Sequence, residues 1–190
     1  MTARTHDLAA ISVFGYIVLT QPVRFVSVAT AIISLLANQL GGIAPDIDQP
    51  TAPFWRNLPV GRFLGKPVDK MLGGHRFITH SLLGLALFGF GMHWLLIFLR
   101  PIMPSVNISI VWWAFIIGMI SHLVMDSFTK EGVPWLLPIP VKFGLPPMKA
   151  LRITTGKLGE KLFFVGILVV DIWYFSGHYV RLVSVFHHIS

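Results

Sequence analysis

Four apolar runs, Val23–Ala44, Ser81–Leu99, Ile108–Phe128 and Leu162–Phe186, reach about the 20 residues that an α-helix needs to cross a bilayer. Inside the hydrocarbon layer no water satisfies backbone N–H and C=O groups, so such runs fold as helices that bond within themselves. A fifth run, Leu8–Leu19, is short; extended from Thr5 to Gln21 it reaches roughly 25 Å, a marginal span. The pattern predicts an all-α fold, a polytopic membrane helix bundle of about five transmembrane helices with the first one short. The 190 residues form one integral-membrane domain, residues 1–190. Two polar loops rich in Pro and Gly, Pro45–Thr79 and Thr129–Lys161, separate the runs.

Composition agrees with that reading and excludes others. Charged residues are 12% of the chain, against about 25% in an ordinary soluble domain, and mean hydropathy is +0.72. A net charge of +7 would suit nucleic acid only on a basic soluble surface. Here Lys and Arg stand between apolar runs, where they orient helices, so no nucleic-acid partner is expected. Without cysteine there is no disulfide framework and no thiolate metal site, and any metal must be held by His, Asp or Glu. The first run has the length of a signal-peptide core. Asp7 precedes it, however, and no small-x-small cleavage site follows, so it is read as retained. With five spans, the N-terminus and both long loops share one side, which holds twelve Lys and Arg against three on the other. That bias places the loops and the N-terminus in the cytoplasm and the chain in the inner (plasma) membrane.

The ionisable residues that remain gather at cytoplasmic helix ends. His6 opens the first span, Asp46 and Asp48 follow the second, His75, Arg76 and His80 precede the third, and His122 and Asp126 lie near the end of the fourth. A spacing of four puts His122 and Asp126 on one helix face, in an apolar segment where ionisable groups normally face a cavity or a partner. That pair could equally be a mutually satisfied lock on the helix. Pro45 breaks the second helix, and the carboxylates after it could wrap one cation, bridge two, or be ordinary loop acids. If the backbone is extended there, only one is a direct ligand, and Asp46 is the choice. His75 and His80 are five apart, wrong for one helix face, so they would have to converge from a bend after Gly73-Gly74. Arg76 could clamp a phosphate with its planar, permanently charged guanidinium or anchor the chain at the membrane interface. Glu160 could join the site or pair with a neighbouring Lys. Asp171 would pair within the bundle, and His93 has no assigned role.

Three or four His and two or three Asp at one depth make a hard N/O ligand set suited to Zn²⁺ or Mn²⁺, one or two ions. Two ions would clamp both oxygens of a phosphoester displacement and supply a hydroxide at neutral pH.

The order Thr5-His6, Pro45-Asp46-Ile47-Asp48, His75-Arg76-x-x-Thr79-His80-Ser81, Ser121-His122-x-x-x-Asp126 and Gly132-Val133-Pro134 resembles the YdjM-like family. That family is described as LexA-regulated inner-membrane metal-dependent hydrolases, and the resemblance runs from Thr5 to about Glu160. More remotely the arrangement is similar to zinc-dependent phospholipase C and the P1-type nucleases, which are helical. Those resemblances imply a phospholipase C/P1 nuclease-like helical core with His6, Asp46, His80, His122 and Asp126 as metal ligands. His75 or Asp48 would complete the set, and Asp48, His75 and Arg76 are the candidate catalytic residues. The later His and Glu ligands of the phospholipase have no clean counterpart here. The expectation is a membrane-bound metal-dependent hydrolase acting on a phospholipid or related phosphoester at the cytoplasmic leaflet. A non-enzymatic membrane protein with a structural or regulatory cluster, and a carrier for a metal or anionic lipid, are the alternatives. A carrier predicts ionisable residues along a path through the midplane rather than a cluster at one end.

Overall fold

The computed structural model describes residues 1–21, 27–57, 59, 61–71, 76–139 and 141–187. Among them the regular structure is helical, with two isolated bridge pairs, Thr129 with Ile153 and Val133 with Phe143. The helices are α1 (Ala3–Thr20), α2 (Val28–Ile43), α3 (Pro53–Arg56), α4 (Gly61–Met71), α5 (Leu82–Leu99), α6 (Ile108–Ser127), α7 (Leu158–Gly177) and α8 (Tyr179–His187). A 3₁₀ turn, Ala44–Asp48, prolongs α2, with Pro45 in its first turn, where a missing N–H costs nothing.

Three stretches are long and apolar enough to cross a membrane: Val28–Asp48, Leu82–Ile102 and Ile108–Ser127. They correspond to the three middle runs of the sequence. The outer runs also form helices, but α1 begins with the polar Arg4-Thr5-His6-Asp7 and α7 carries Glu160, Lys161 and Asp171. The last run, expected as one span over Leu162–Phe186, is in fact broken. The chain leaves helical geometry at His178 (φ −111°, ψ 21°), whose N–H caps the carbonyls of Ser176 and Tyr174, and α8 starts anew. Arg181 of α8 donates to the carbonyl of Thr20 at 3.3 Å, tying that last helix to the end of α1.

The centre of the bundle is the seam between α2 and α6. A methyl group at Gly41 would sit 2.1 Å from the Phe115 carbonyl oxygen, and one at Gly118 would sit 2.0 Å from that of Asn38. Only glycine at both positions lets the two backbones approach this closely, which is how helices gain packing where lipid offers no hydrophobic drive. Asn38 adds a hydrogen bond from its amide to the Ala114 carbonyl at 3.1 Å. Val111, Phe115 and Met119 of α6 fill the core with Ala37 of α2 and Met92 and Leu96 of α5. On the outer side, Asp171 of α7 accepts from Ser12 at 2.7 Å and from Tyr16, both on α1, which accounts for an acid in an apolar run.

Residues 45–79, read in the sequence as loop, hold the 3₁₀ turn and two further helices. Gly61 and Gly65 let α4 lie against Trp55 and Pro50, and the Trp55 indole N–H donates to the Ile47 carbonyl at 2.8 Å. The second loop is pinned to the end of α6: Leu145 N–H donates to the Ser127 carbonyl at 2.7 Å and Trp135 to the Ser127 hydroxyl at 2.9 Å. The N-terminus of α1, the C-termini of α2 and α6 and the N-terminus of α5 therefore meet at one end of the bundle.

Candidate metal centre

Asp126, in the last turn of α6, is the hub of that end. It is 1% exposed, and a carboxylate so buried needs partners on both oxygens. Its Oδ1 meets the Met1 nitrogen and the His6 Nε2 at 3.2 Å. Its Oδ2 lies 2.6 Å from an Arg76 guanidinium nitrogen, 3.6 Å from His80 Nε2 and 3.7 Å from His122 Nε2. Asp46 completes the group from the 3₁₀ turn, with Oδ1 3.7 Å from His80 Nε2 and 3.6 Å from His122 Nε2. Two overlapping triads result, His6–His122–Asp126 and Asp46–His80–His122, each with its ligand atoms within 4.8 Å of one another.

The helix turn expected for His122 and Asp126 is present. The ring is further fixed from across the seam: the Gly42 carbonyl lies 2.6 Å from His122 Nδ1. A carbonyl only accepts, so Nδ1 carries the proton and Nε2 presents a lone pair into the cluster. That Nε2 is fully buried and makes no hydrogen bond among the described residues. His6 stacks flat on it, ring centroids 3.7 Å apart.

His80 is oriented by the same logic. Its Nδ1 is 3.3 Å from Asp48 Oδ2 and 2.9 Å from the Thr79 hydroxyl, so the proton sits on Nδ1 and Nε2 turns toward Asp46 and Asp126. Asp48 itself is fully buried and accepts from the Arg76 backbone N–H at 2.9 Å and from the Thr79 hydroxyl. A 3₁₀ turn rather than an extended strand separates the two acids, leaving Asp46 facing the imidazoles and Asp48 behind His80. A carboxylate holding the far nitrogen of an imidazole is the usual outer support of a metal-ligating histidine.

Arg76 is buried among these groups, 6% exposed. It adopts a left-handed backbone (φ 59°), which an L-residue accepts only when its surroundings over-determine it. Besides Asp126, its guanidinium donates to the Thr129 hydroxyl at 2.9 Å and faces Glu131 at 3.5 Å. His75, the other candidate catalytic residue of this segment, lies outside the described residues.

Glu160 neither enters the cluster nor pairs with Lys in the contacts seen here. It accepts from the backbone N–H groups of Thr2 and Gly156 and from the hydroxyls of Thr2 and Thr5. This remote carboxylate caps the N-terminus of α1, where the helix dipole favours an anion, and so fixes the turn that carries His6. The spacing in the sequence could not show it, because 158 residues separate Thr2 from Glu160. The same holds for the Gly42 carbonyl: a main-chain group leaves no residue-type signal. Thr79, by contrast, stood beside His80 in the motif. His93, on α5, is exposed and away from the cluster.

A cavity of about 330 Å³ opens beside the cluster, walled by His6, Gly42, Ile43, Asp46, Phe54 and Asn57 among others. The buried group thus has a mouth toward the α3 side.

The chain is 29% identical over 178 residues to the uncharacterized protein YvsG of Bacillus subtilis (strain 168), covering 92% of this chain and 94% of that one. It is 28% identical over 132 residues to the inner membrane protein YdjM of Escherichia coli (strain K12) and to that of Shigella flexneri. Those matches cover 69% of this chain and 61% of each relative. No solved structure matches. The family described as YdjM inner membrane protein matches residues 1–184, and the chain belongs to that family of membrane proteins.

Proposed function

We propose that this protein is a metal-dependent hydrolase of the inner membrane acting on a phosphoester, with His6, Asp46, His80, His122 and Asp126 as ligands. The observation that carries the reading is the pair of inward-facing imidazole Nε2 atoms, on His80 and His122, each within 3.7 Å of the carboxylates of Asp46 and Asp126. The donor set fits a divalent ion: the His80 and His122 rings held at Nδ1 with Nε2 turned inward, the hard oxygens of Asp46 and Asp126, and an outer carboxylate in Asp48. Within these contacts the three carboxylates of Asp46, Asp48 and Asp126 outnumber the guanidinium of Arg76 and the Met1 nitrogen, which leaves negative charge for a cation to offset. Bound zinc or manganese, one or two ions, would supply Lewis acidity and an activated water.

The chain's own residues do the rest. Asp126 and Asp46 bracket the site, Asp48 keeps His80 in its tautomer, and Arg76 presents fixed positive charge beside Asp126 to steady a phosphate oxygen. His75 stands one residue from Arg76 and completes the proposed catalytic set. Access from the cytoplasmic leaflet, with α1 and α7 as fourth and fifth spans, follows from the Lys and Arg distribution. A phospholipase C-like helical core is part of this proposal.

A second reading has its own observation. Arg76 meets Asp126 at 2.6 Å, a buried ion pair that lets the cluster serve as a structural network without metal. Elemental mass spectrometry on detergent-purified protein separates the two. The hydrolase reading expects one or two equivalents of zinc or manganese, lost in His122→Ala and Asp126→Ala, and metal-dependent cleavage of a phosphodiester by the wild type. Protein that stays metal-free after reloading and cleaves nothing leaves the structural network as the function of the cluster.

A further inference from the structure

A second cavity, about 410 Å³, lies on the membrane-spanning side of the same wall. It is bounded by Leu40 and Ile43 of α2, Leu87, Gly91 and Leu95 of α5, and Phe54 of α3, and its lining is apolar. Its volume falls within the range of about 300–1,000 Å³ usual for ligand sites. Two features separate it from an ordinary groove between helices. Ile43 and Phe54 line both this cleft and the polar cavity that opens on the candidate metal centre. Within one 3₁₀ turn, Asp46 faces the polar cavity while Ala44 and Ile47 face the apolar one. Along α5 the lining residues Leu87 to Leu95 run for about 12 Å, beginning a little over one turn in from the helix end next to His80.

We infer that this cleft holds an acyl chain of a membrane glycerophospholipid whose phosphate headgroup lies in the adjoining polar cavity. The occupant is an amphiphile because the cavity pair is one: an apolar slot between two helices able to cross the membrane, adjoining across two shared residues a polar cavity that opens on a cluster of charged and imidazole groups. A water-soluble phosphoester would use only the polar half. A lipid that merely solvates the helices would have no reason to prefer this slot over the rest of α5. The headgroup end of the inference rests on the hydrolase reading, whereas the acyl-chain end stands on the cleft alone.

Gly91 supplies the test. A Cβ added there meets nothing within 4 Å, so a larger side chain fills the cleft without pressing on the fold. Gly166 on α7 is equally open and lies outside the cleft, which makes it the control. Full-length protein is placed in phosphatidylcholine vesicles containing phosphatidylglycerol with a diazirine on its acyl chain, irradiated, and mapped by peptide mass spectrometry. Labels should concentrate on the second half of α2 and on Leu87–Leu95. They should fall roughly tenfold or more in Gly91→Leu, the scale on which an apolar pocket responds to added carbon, and persist in Gly166→Leu. Leu87→Trp, which obstructs the slot from another residue, should act like Gly91→Leu. Labelling spread evenly over the lipid-facing helices, or unchanged in both cleft variants, overturns the inference.

Failure of the hydrolase reading looks different. Cleft labelling that survives His122→Ala, in a protein that neither holds metal nor cleaves a phosphodiester, would leave the acyl site standing. Cleavage of a short-chain soluble phosphodiester that ignores Gly91→Leu, together with absent cleft labelling, would do the reverse.

Discussion

Helices α5 and α6 are nearly equal in hydropathy, 2.1 and 2.0 over their spanning segments, yet 22% of the first and 56% of the second is buried inside the protein. In water, apolarity decides which helix goes to the core. In a bilayer lipid is as apolar as leucine, so small and polar residues decide instead. α6 carries Gly118 at the seam and His122 and Asp126 at the site; α5 carries Phe90, Trp94 and Phe98, all more than half exposed.

That contrast can be broken most severely at Asp126. Asp126→Ala removes the hub and leaves the buried Arg76 with only the exposed Glu131 as an ion partner among the described residues, a loss of about 3 kcal/mol. Unfolding in detergent should show it, and the double variant Asp126→Ala/Arg76→Met should recover part of the loss. Next comes the seam: Gly118→Ala forces a methyl against the Asn38 carbonyl and should cost about 3 kcal/mol, whereas Gly91→Ala on α5 should be near neutral by the same measurement. A smaller difference is expected between two large apolar residues. Leu123 is fully buried on α6 and Phe98 is 78% exposed on α5. Leu123→Ala should cost about 2 kcal/mol through its cavity, and Phe98→Ala within about 0.5 kcal/mol of nothing. Equal losses for the two would mean that α5 is packed against something in the membrane.

The smallest effect lies outside the seam, at Glu160. Burial pushes its carboxyl up, but the N–H groups of Gly156 and Thr2 and the hydroxyls of Thr5 and Thr2 outweigh burial and hold it down to about 2, against an ordinary 4.5. The folded state therefore binds this proton less readily than the unfolded one. The stability Glu160 contributes is complete above pH 4.5 and is lost as the pH falls toward 2. Glu160→Gln should lower stability by about 1 kcal/mol at neutral pH, with the gap to wild type closing across that window in an acid unfolding series.

The three middle helices were legible because each is set by a local property, an uninterrupted apolar run. The one-face placement of His122 and Asp126 was legible for the same reason, as a consequence of four-residue spacing. The ends of the chain were harder. Leu162–Phe186 reads as continuous because Gly177 lies inside an apolar run, where membrane helices commonly carry glycine, whereas in the fold the helix ends at Gly177 and α8 is tied to α1 through Arg181. Residues 45–79 read as loop because the glycines that seat α4 against Trp55 look, in one dimension, like turn residues. Asp46 and Asp48 could be separated in role only by knowing the turn between them. Glu160 could be placed only by the fold.

Gly42 ties two of these stories together. Its carbonyl holds the His122 ring, and a Cβ there would come 3.3 Å from Ala10 of α1, while its neighbour Gly41 lets α2 reach α6. The imidazole is therefore aimed by a main-chain group that arrives only when two helices inserted at different times have come together. A nascent chain with α2 alone in the membrane has no aimed histidine, and one whose helices dock out of register has a histidine aimed elsewhere. The cluster of imidazoles and carboxylates thus comes into being with the finished bundle and is lost whenever the bundle opens.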